Sequence, residues 1–239
     1  MDNAFSALPL RRVAGRERGV WAGLWPGTIP AIRQLLDEGL DLGSVTVLVG
    51  ENGSGKSTLV EGIALAFGMS SEGGSTNARH STRPTESEVW KDLKLIRGVG
   101  GSRWGFFLRG ETMHGFYSYL EEHPGRAEPR FHEMSHGESF IALLESRFDD
   151  SGLYLLDEPE SALSFSGCLA LVAVLHKITQ QRAQVVVATY SPVVASIPGA
   201  RILEIGDWGI RESSWEDLTL VQNWRSFLDQ PGRYLRHFL

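Results

Sequence analysis

Cysteine is nearly absent from this chain. Cys168 is the only one in 239 residues, so no disulfide can staple the fold, and a reducing, cytoplasmic setting is expected. Long apolar runs are missing too. None approaches the roughly 18 residues a membrane helix needs, and the segment from Met1 to Gly19 lacks the basic-then-apolar order of a secretory leader. There is no internal repeat and no heptad array, which excludes solenoids and a long coiled coil. Positive charge is not in excess: the net charge is −6, unlike a chain built to coat nucleic acid. The local cluster Arg11, Arg12, Arg16 and Arg18 reads first as a solvated face and second as a nucleic-acid contact. What remains is an ordinary globular composition, 42% hydrophobic and 22% charged, long enough to bury a real core as one large domain or two small ones; the expectation taken forward is a single domain over 1–239.

Short apolar strands alternate with helix-period segments. Residues 45–49 read as a strand and 58–67 as the helix after a glycine-rich turn. Residues 70–85 hold almost no hydrophobic side chain and read as a mobile loop, and 121–130 as a second loop. Residues 104–109 form a candidate strand. Ser135 and Glu138 make an S-x-x-E capping box ahead of Phe140, Ile141, Leu143 and Leu144. Strands follow at 153–156 and 185–188, a long helix at 164–181, a hairpin at 202–211 and a last helix at 217–229. Cys168 falls on an apolar helix and reads as a buried small hydrophobe. This alternation predicts an α/β fold with a mainly parallel sheet covered by helices.

Gly50, Glu51, Asn52, Gly53, Ser54, Gly55, Lys56 and Ser57 match G-x-x-x-x-G-K-[ST] at every fixed position, with Thr58 next. Glycines let backbone N–H groups turn inward around phosphate oxygens, and the following helix aims its positive end at the same anion. Lys56, one of four lysines, would reach the β- and γ-phosphates, and the Ser57 hydroxyl would sit on Mg²⁺. A chance match in a chain this long is about 1 in 100 from average residue frequencies. Further on, the apolar run Leu153–Leu156 ends in adjacent acids, Asp157 and Glu158. Strand alternation lets them take different tasks: Asp157 to hold Mg²⁺, Glu158 to orient or deprotonate water.

Together with Met134–Ser139, Leu153–Ser161 and Ala188–Pro192, this loop resembles the ATP-binding-cassette (ABC-type) ATPases. Among them it is most similar to small stand-alone ATPases labelled AAA-family and to SMC-like heads. Order and spacing agree: Gly137 precedes Asp157 by 20 residues and Tyr190 follows it by 33. The resemblance implies a P-loop fold with a smaller helical portion carrying a signature, here Ser135, Gly137 and Glu138, with His136 where a glycine is usual. It implies ATP and Mg²⁺ as ligands and a head-to-tail homodimer in which Ser135 of one chain faces the nucleotide of the other. Asp157 matches the magnesium acid, Glu158 the catalytic glutamate and Ser161–Ser164 the D-loop, with Ser164 where Asp is usual. Tyr190 stands where the family has a γ-phosphate-sensing histidine. A neutral, longer side chain there leaves two readings open, an ATPase or an ATP-dependent switch that barely hydrolyses. Some 76 residues between Ser57 and Met134 leave no room for a long SMC coiled coil. The protein partner that such an ATPase drives is not legible.

Glu111 is a candidate for the missing Q-loop glutamine or, equally, a surface acid near a strand end, and Trp21 and Trp25 are candidates for an adenine platform or, equally, core or sheet-edge aromatics. His132, Glu133 and His136 also spell H-E-x-x-H, a zinc-protease signature. That reading needs both histidines on one helix. Pro129, Gly137 and the cap at Ser135 argue that the helix starts too late for His132, and the protease leaves the phosphate loop unexplained.

Overall fold

The computed structural model describes residues 7–16, 23–71, 73–76, 88–110 and 151–236. The signature Ser135, Gly137 and Glu138, the H-E-x-x-H stretch, the 121–130 loop, Glu111, Trp21, Arg18 and most of 70–85 lie outside them.

Among the described residues the main sheet has seven strands. In sequence order they are β3 (Val45–Gly50), β4 (Gly74–Ser75), β6 (Gly105–Arg109), β7 (Leu153–Asp157), β8 (Gln184–Thr189), β9 (Arg201–Gly206) and β10 (Gly209–Glu212). Their spatial order is β10-β9-β3-β8-β7-β6-β4. The five central strands run parallel, and β10 and β4 are antiparallel edges. Strands buried on both faces need continuous apolar runs, and β7 and β8 have them: every residue of each is buried.

Side-chain alternation divides the core in two. Val45, Val47, Val49, Val185, Val187, Tyr154 and Leu156 face α3 (Phe165–Gln180), which contributes Leu171, Leu175 and Ile178. Leu48, Val186, Leu153, Leu155 and Ile205 face α2 (Lys56–Phe67) and α1 (Pro30–Glu38). α3 begins because Ser164 caps it, its hydroxyl accepting from Gly167 N at 3.2 Å. Cys168 is 6% exposed, inside the first cluster. The hairpin turns at Asp207-Trp208, and α4 (Thr219–Asp229) and a short α5 (Pro231–Leu235) close the described chain.

A second, three-stranded antiparallel sheet, β2-β1-β5, covers the α2 side. It joins β1 (Arg12–Gly15), β2 (Leu40–Asp41) and β5 (Leu93–Ile96). The buried Gln184 amide ties this layer to the main sheet: Oε1 accepts from Leu10 N at 2.8 Å, and Nε2 donates to Leu10 O and Gly43 O at 2.6 and 2.9 Å. Within the basic cluster, Arg12 pairs with Asp41, 2.8 Å away, and Arg16 Nε donates to Leu93 O at 3.3 Å. No described helix is long and apolar enough to cross a membrane.

Candidate functional site

Parallel strands end together, and the space beyond their carboxyl ends is where such sheets bind ligands. Here the register sets Val49 beside Thr189, Ala188 beside Asp157, and Asp157 beside Arg109. The glycine-rich loop leaves β3 and enters α2 at this edge. Gly53 and Gly55 have φ of 81° and 101°, the left-handed region that glycine enters freely. A Cβ on Gly55 would also stand 2.7 Å from the Ile29 side chain.

Lys56 opens α2, is 3% exposed, and donates through Nζ to the carbonyls of Gly50 at 2.7 Å and Glu51 at 2.9 Å. Burial pushes its pKa below the usual lysine value, while Glu158, Asp157, Glu160 and Glu51 oppose that shift. The cation is thus held inside the loop by backbone oxygens, next to the positive end of a helix. Ser54 Oγ is buried there with no hydrogen-bond partner among the described residues.

One residue on, Ser57 Oγ donates to Asp157 Oδ1 at 2.9 Å, joining α2 to the end of β7. Burial raises the Asp157 pKa to about 6, against the pull of the Ser57 hydrogen bond and the Arg109 guanidinium. Arg109 Nε lies 3.6 Å from Asp157 Oδ2, and its Nη1 donates to Glu61 at 3.0 Å. A hydroxyl and a desolvated carboxylate side by side are hard oxygen donors of the kind Mg²⁺ takes, so these residues fit that ion. The raised pKa has a stability consequence. Between about pH 4 and 6 the folded chain holds a proton on Asp157 that the unfolded chain has lost, so stability falls as pH rises through that window. Above it the loss levels off at about 3 kcal/mol, because each tenfold gain in proton affinity on folding is worth about 1.4 kcal/mol. Metal-free Asp157→Asn protein should therefore equal the wild type in melting temperature near pH 4 and exceed it at pH 7.5. An advantage that does not grow with pH would contradict this assignment.

Glu158 follows with φ 49° and ψ 50°, a backbone state that costs a non-glycine residue about 1–3 kcal/mol. Its N–H donates to Ala188 O at 2.9 Å, and its carbonyl accepts from Ser161 N and Oγ at 3.2 and 2.8 Å. Gly110 packs against that carbonyl so closely that a Cβ there would collide with it. Glu158 is half-buried at this turn, whereas Asp157, one residue earlier, is buried.

Tyr190 follows β8 and is 40% exposed. Burial, with the Glu160 and Glu158 carboxylates, pushes its phenol pKa up. The ring lines a cleft of about 770 Å³ with Glu51–Ser54 of the loop, Trp208, Arg211 and Trp224. Trp208 is stacked under the Arg211 guanidinium at 4.0 Å, and Arg211 is paired with buried Glu204 at 2.5 Å. Trp25 is 61% exposed, so the core reading of that ring fails. It sits at the turn in which Ile29 N donates to Pro26 O at 3.0 Å, and Ile29 abuts Gly55.

Sequence reasoning missed Arg109 and Glu160. Arg109 had one local signal, a charge closing an apolar strand in register with the Asp157 strand. Glu160 had none, because its partners lie some 30 residues away.

Residues 28–98 match a family model described as an AAA domain. No curated protein matches. Among solved structures, a chain described as a metal-chelate type ABC transporter in an inward-facing conformation is 18% identical, with 92% of this chain and 89% of that one covered and a TM-score of 0.49. The SMC head domain from Thermotoga maritima is 16% identical, covering 87% and 100%, with a TM-score of 0.44. A dimeric bacterial ABC transporter cassette is 15% identical, covering 74% and 88%, with a TM-score of 0.41. The chain is similar to these ABC cassette and SMC head structures.

Proposed function

We propose that the chain, as one domain over 1–239, binds Mg-ATP and hydrolyses it to ADP and phosphate within a head-to-tail homodimer that works on a separate protein partner. The observation that carries the reading is the convergence of Lys56, the Ser57–Asp157 contact and the strained Glu158 turn at one sheet edge. The backbone from Gly50 to Thr58 cradles the phosphates, and Lys56 exchanges its carbonyl contacts for the β- and γ-phosphate oxygens. Ser57 and Asp157 hold Mg²⁺, which supplies charge neutralisation at the phosphates. Glu158 orients the attacking water and takes its proton. Trp25 is the platform candidate for the adenine end. Ser135, Gly137 and Glu138 of the second chain complete each site over the γ-phosphate.

A second reading, an ATP-bound switch that scarcely hydrolyses, is favoured by Tyr190, whose phenol stays neutral. Steady-state phosphate release separates the two. If Tyr190 is an imperfect stand-in, Tyr190→His should raise turnover about tenfold, which needs about 1.4 kcal/mol, the scale of one charge-assisted hydrogen bond. A wild type no faster than Glu158→Gln identifies the switch. A good wild-type ATPase slowed by the histidine means that tyrosine is the adapted residue here.

A further inference from the structure

Glu160 has no role in the reading above, yet it is the most heavily engaged acid of the site. It lies in the short turn Pro159–Ala162 after the carboxylate pair and is 6% exposed. One oxygen, Oε1, accepts from the Thr189 hydroxyl, from Tyr190 N at 2.8 Å and from Ser191 N at 3.1 Å. The other, Oε2, is buried with no hydrogen-bond partner among the described residues. Thr189 Oγ1 in turn accepts from Ser191 N at 3.0 Å, and Glu158 N donates to Ala188 O. Residues 158–160 and 188–191 are thereby zipped together across the ends of β7 and β8.

Burying a carboxylate is costly unless its hydrogen bonds compensate. Here all compensation falls on one oxygen, and two of the three donors are backbone N–H groups of the segment that presents Tyr190. With β8 ended at Thr189, those N–H groups have no ladder partner; without Glu160 the half-buried Tyr190 N–H would lose its acceptor, and the Ser191 N–H would keep only Thr189 Oγ1. The carboxylate fixes where the chain turns after β8, and so where Tyr190 stands in the cleft it lines together with Glu51–Ser54.

We propose that Glu160 is a positioning residue that locks the 189–191 segment to the carboxylate turn, so that Tyr190 is held in the cleft it shares with the phosphate loop. The inference rests on the ATPase reading for its kinetic half only. The lock itself is a property of the nucleotide-free chain.

Two measurements on the full chain test it. Amide hydrogen exchange without nucleotide reads the lock directly. In Glu160→Ala, exchange at Tyr190 should speed at least tenfold, and at Ser191, which keeps Thr189 Oγ1 as an acceptor, by less, while Val186 in β8 stays protected. Glu160→Gln, which keeps an acceptor oxygen at the Oε1 position, should restore protection to within about threefold of wild type. Unchanged exchange at 190 and 191, or a loss spread evenly through β8, overturns the lock. Kinetics then read its purpose. Glu160→Ala should lower kcat at least tenfold with KM for ATP moved less than threefold, Glu160→Gln should recover most of it, and in a Tyr190→Ala background Glu160→Ala should cost less than threefold more. Independent, multiplying losses would overturn action through Tyr190. A wild type that neither binds nor turns over ATP refutes the ATPase reading, and the exchange data still decide the lock.

Discussion

Glu158→Gln should abolish turnover while leaving ATP bound, a fall in phosphate release of about 10²–10⁴-fold, the usual contribution of a positioned general base. Glutamine keeps the shape of glutamate and the turn that presents it. That turn is fixed by backbone, not by the carboxylate: Ala188 O receives the Glu158 N–H, and Ser161 holds its carbonyl. The variant should therefore melt near the wild type and bind Mg-ATP with unchanged affinity. Unable to clear its nucleotide, it should accumulate as a dimer, with Ser135 of each chain on the ATP of the other. Sedimentation with and without Mg-ATP reads this directly. A variant that stays monomeric with its nucleotide site saturated would refute the head-to-tail arrangement, and one that still turns over would remove Glu158 from the chemistry.

The parts of the site legible in the sequence are those whose chemistry is local. The loop from Gly50 to Ser57 announces itself because glycine conformations and a lysine at a helix start are written within eight residues. The β7 strand and its acids are similar: an apolar run needs burial on both faces, and Pro159 must end it. The helix at 164–181 is legible from its apolar period, while the cap that opens it, Ser164 Oγ accepting from Gly167 N, is a finding of the structure.

What was not legible depends on pairing across the chain. The three-stranded sheet joins Arg12 to both Asp41 and Ile96, and β2 is two residues long, too short for any period to register. Helix α1 carries proline at its first position, a start signal, but follows directly on a stretch crowded with glycine, tryptophan and proline. Arg109 and Glu160 follow the same rule. Each is an ordinary charged residue at the end of an element until the sheet sets Asp157 beside the first and the 189–191 segment around the second.

Replacing Lys56 by alanine should weaken ATP binding by about 2–4 kcal/mol, as for removing one member of a buried charge pair, or about 30- to 1,000-fold in Kd. The structure sharpens why the loss is large. Lys56 is the cation that lies among Glu51, Asp157, Glu158 and Glu160, all four of which raise its pKa through their charge. A polyphosphate entering a cradle without that cation meets the acids uncompensated. The nucleotide-free state changes little by comparison. Alanine gives up the bonds to Gly50 O and Glu51 O, but it also relieves the burial of an ammonium, and these oppose one another. Equilibrium binding of labelled ATP beside a thermal melt of the nucleotide-free protein distinguishes the cases. Binding should collapse while the melt shifts by only a few degrees. Full ATP affinity in a folded Lys56→Ala protein would take the glycine-rich loop out of nucleotide binding, and the ATPase reading would fall with it.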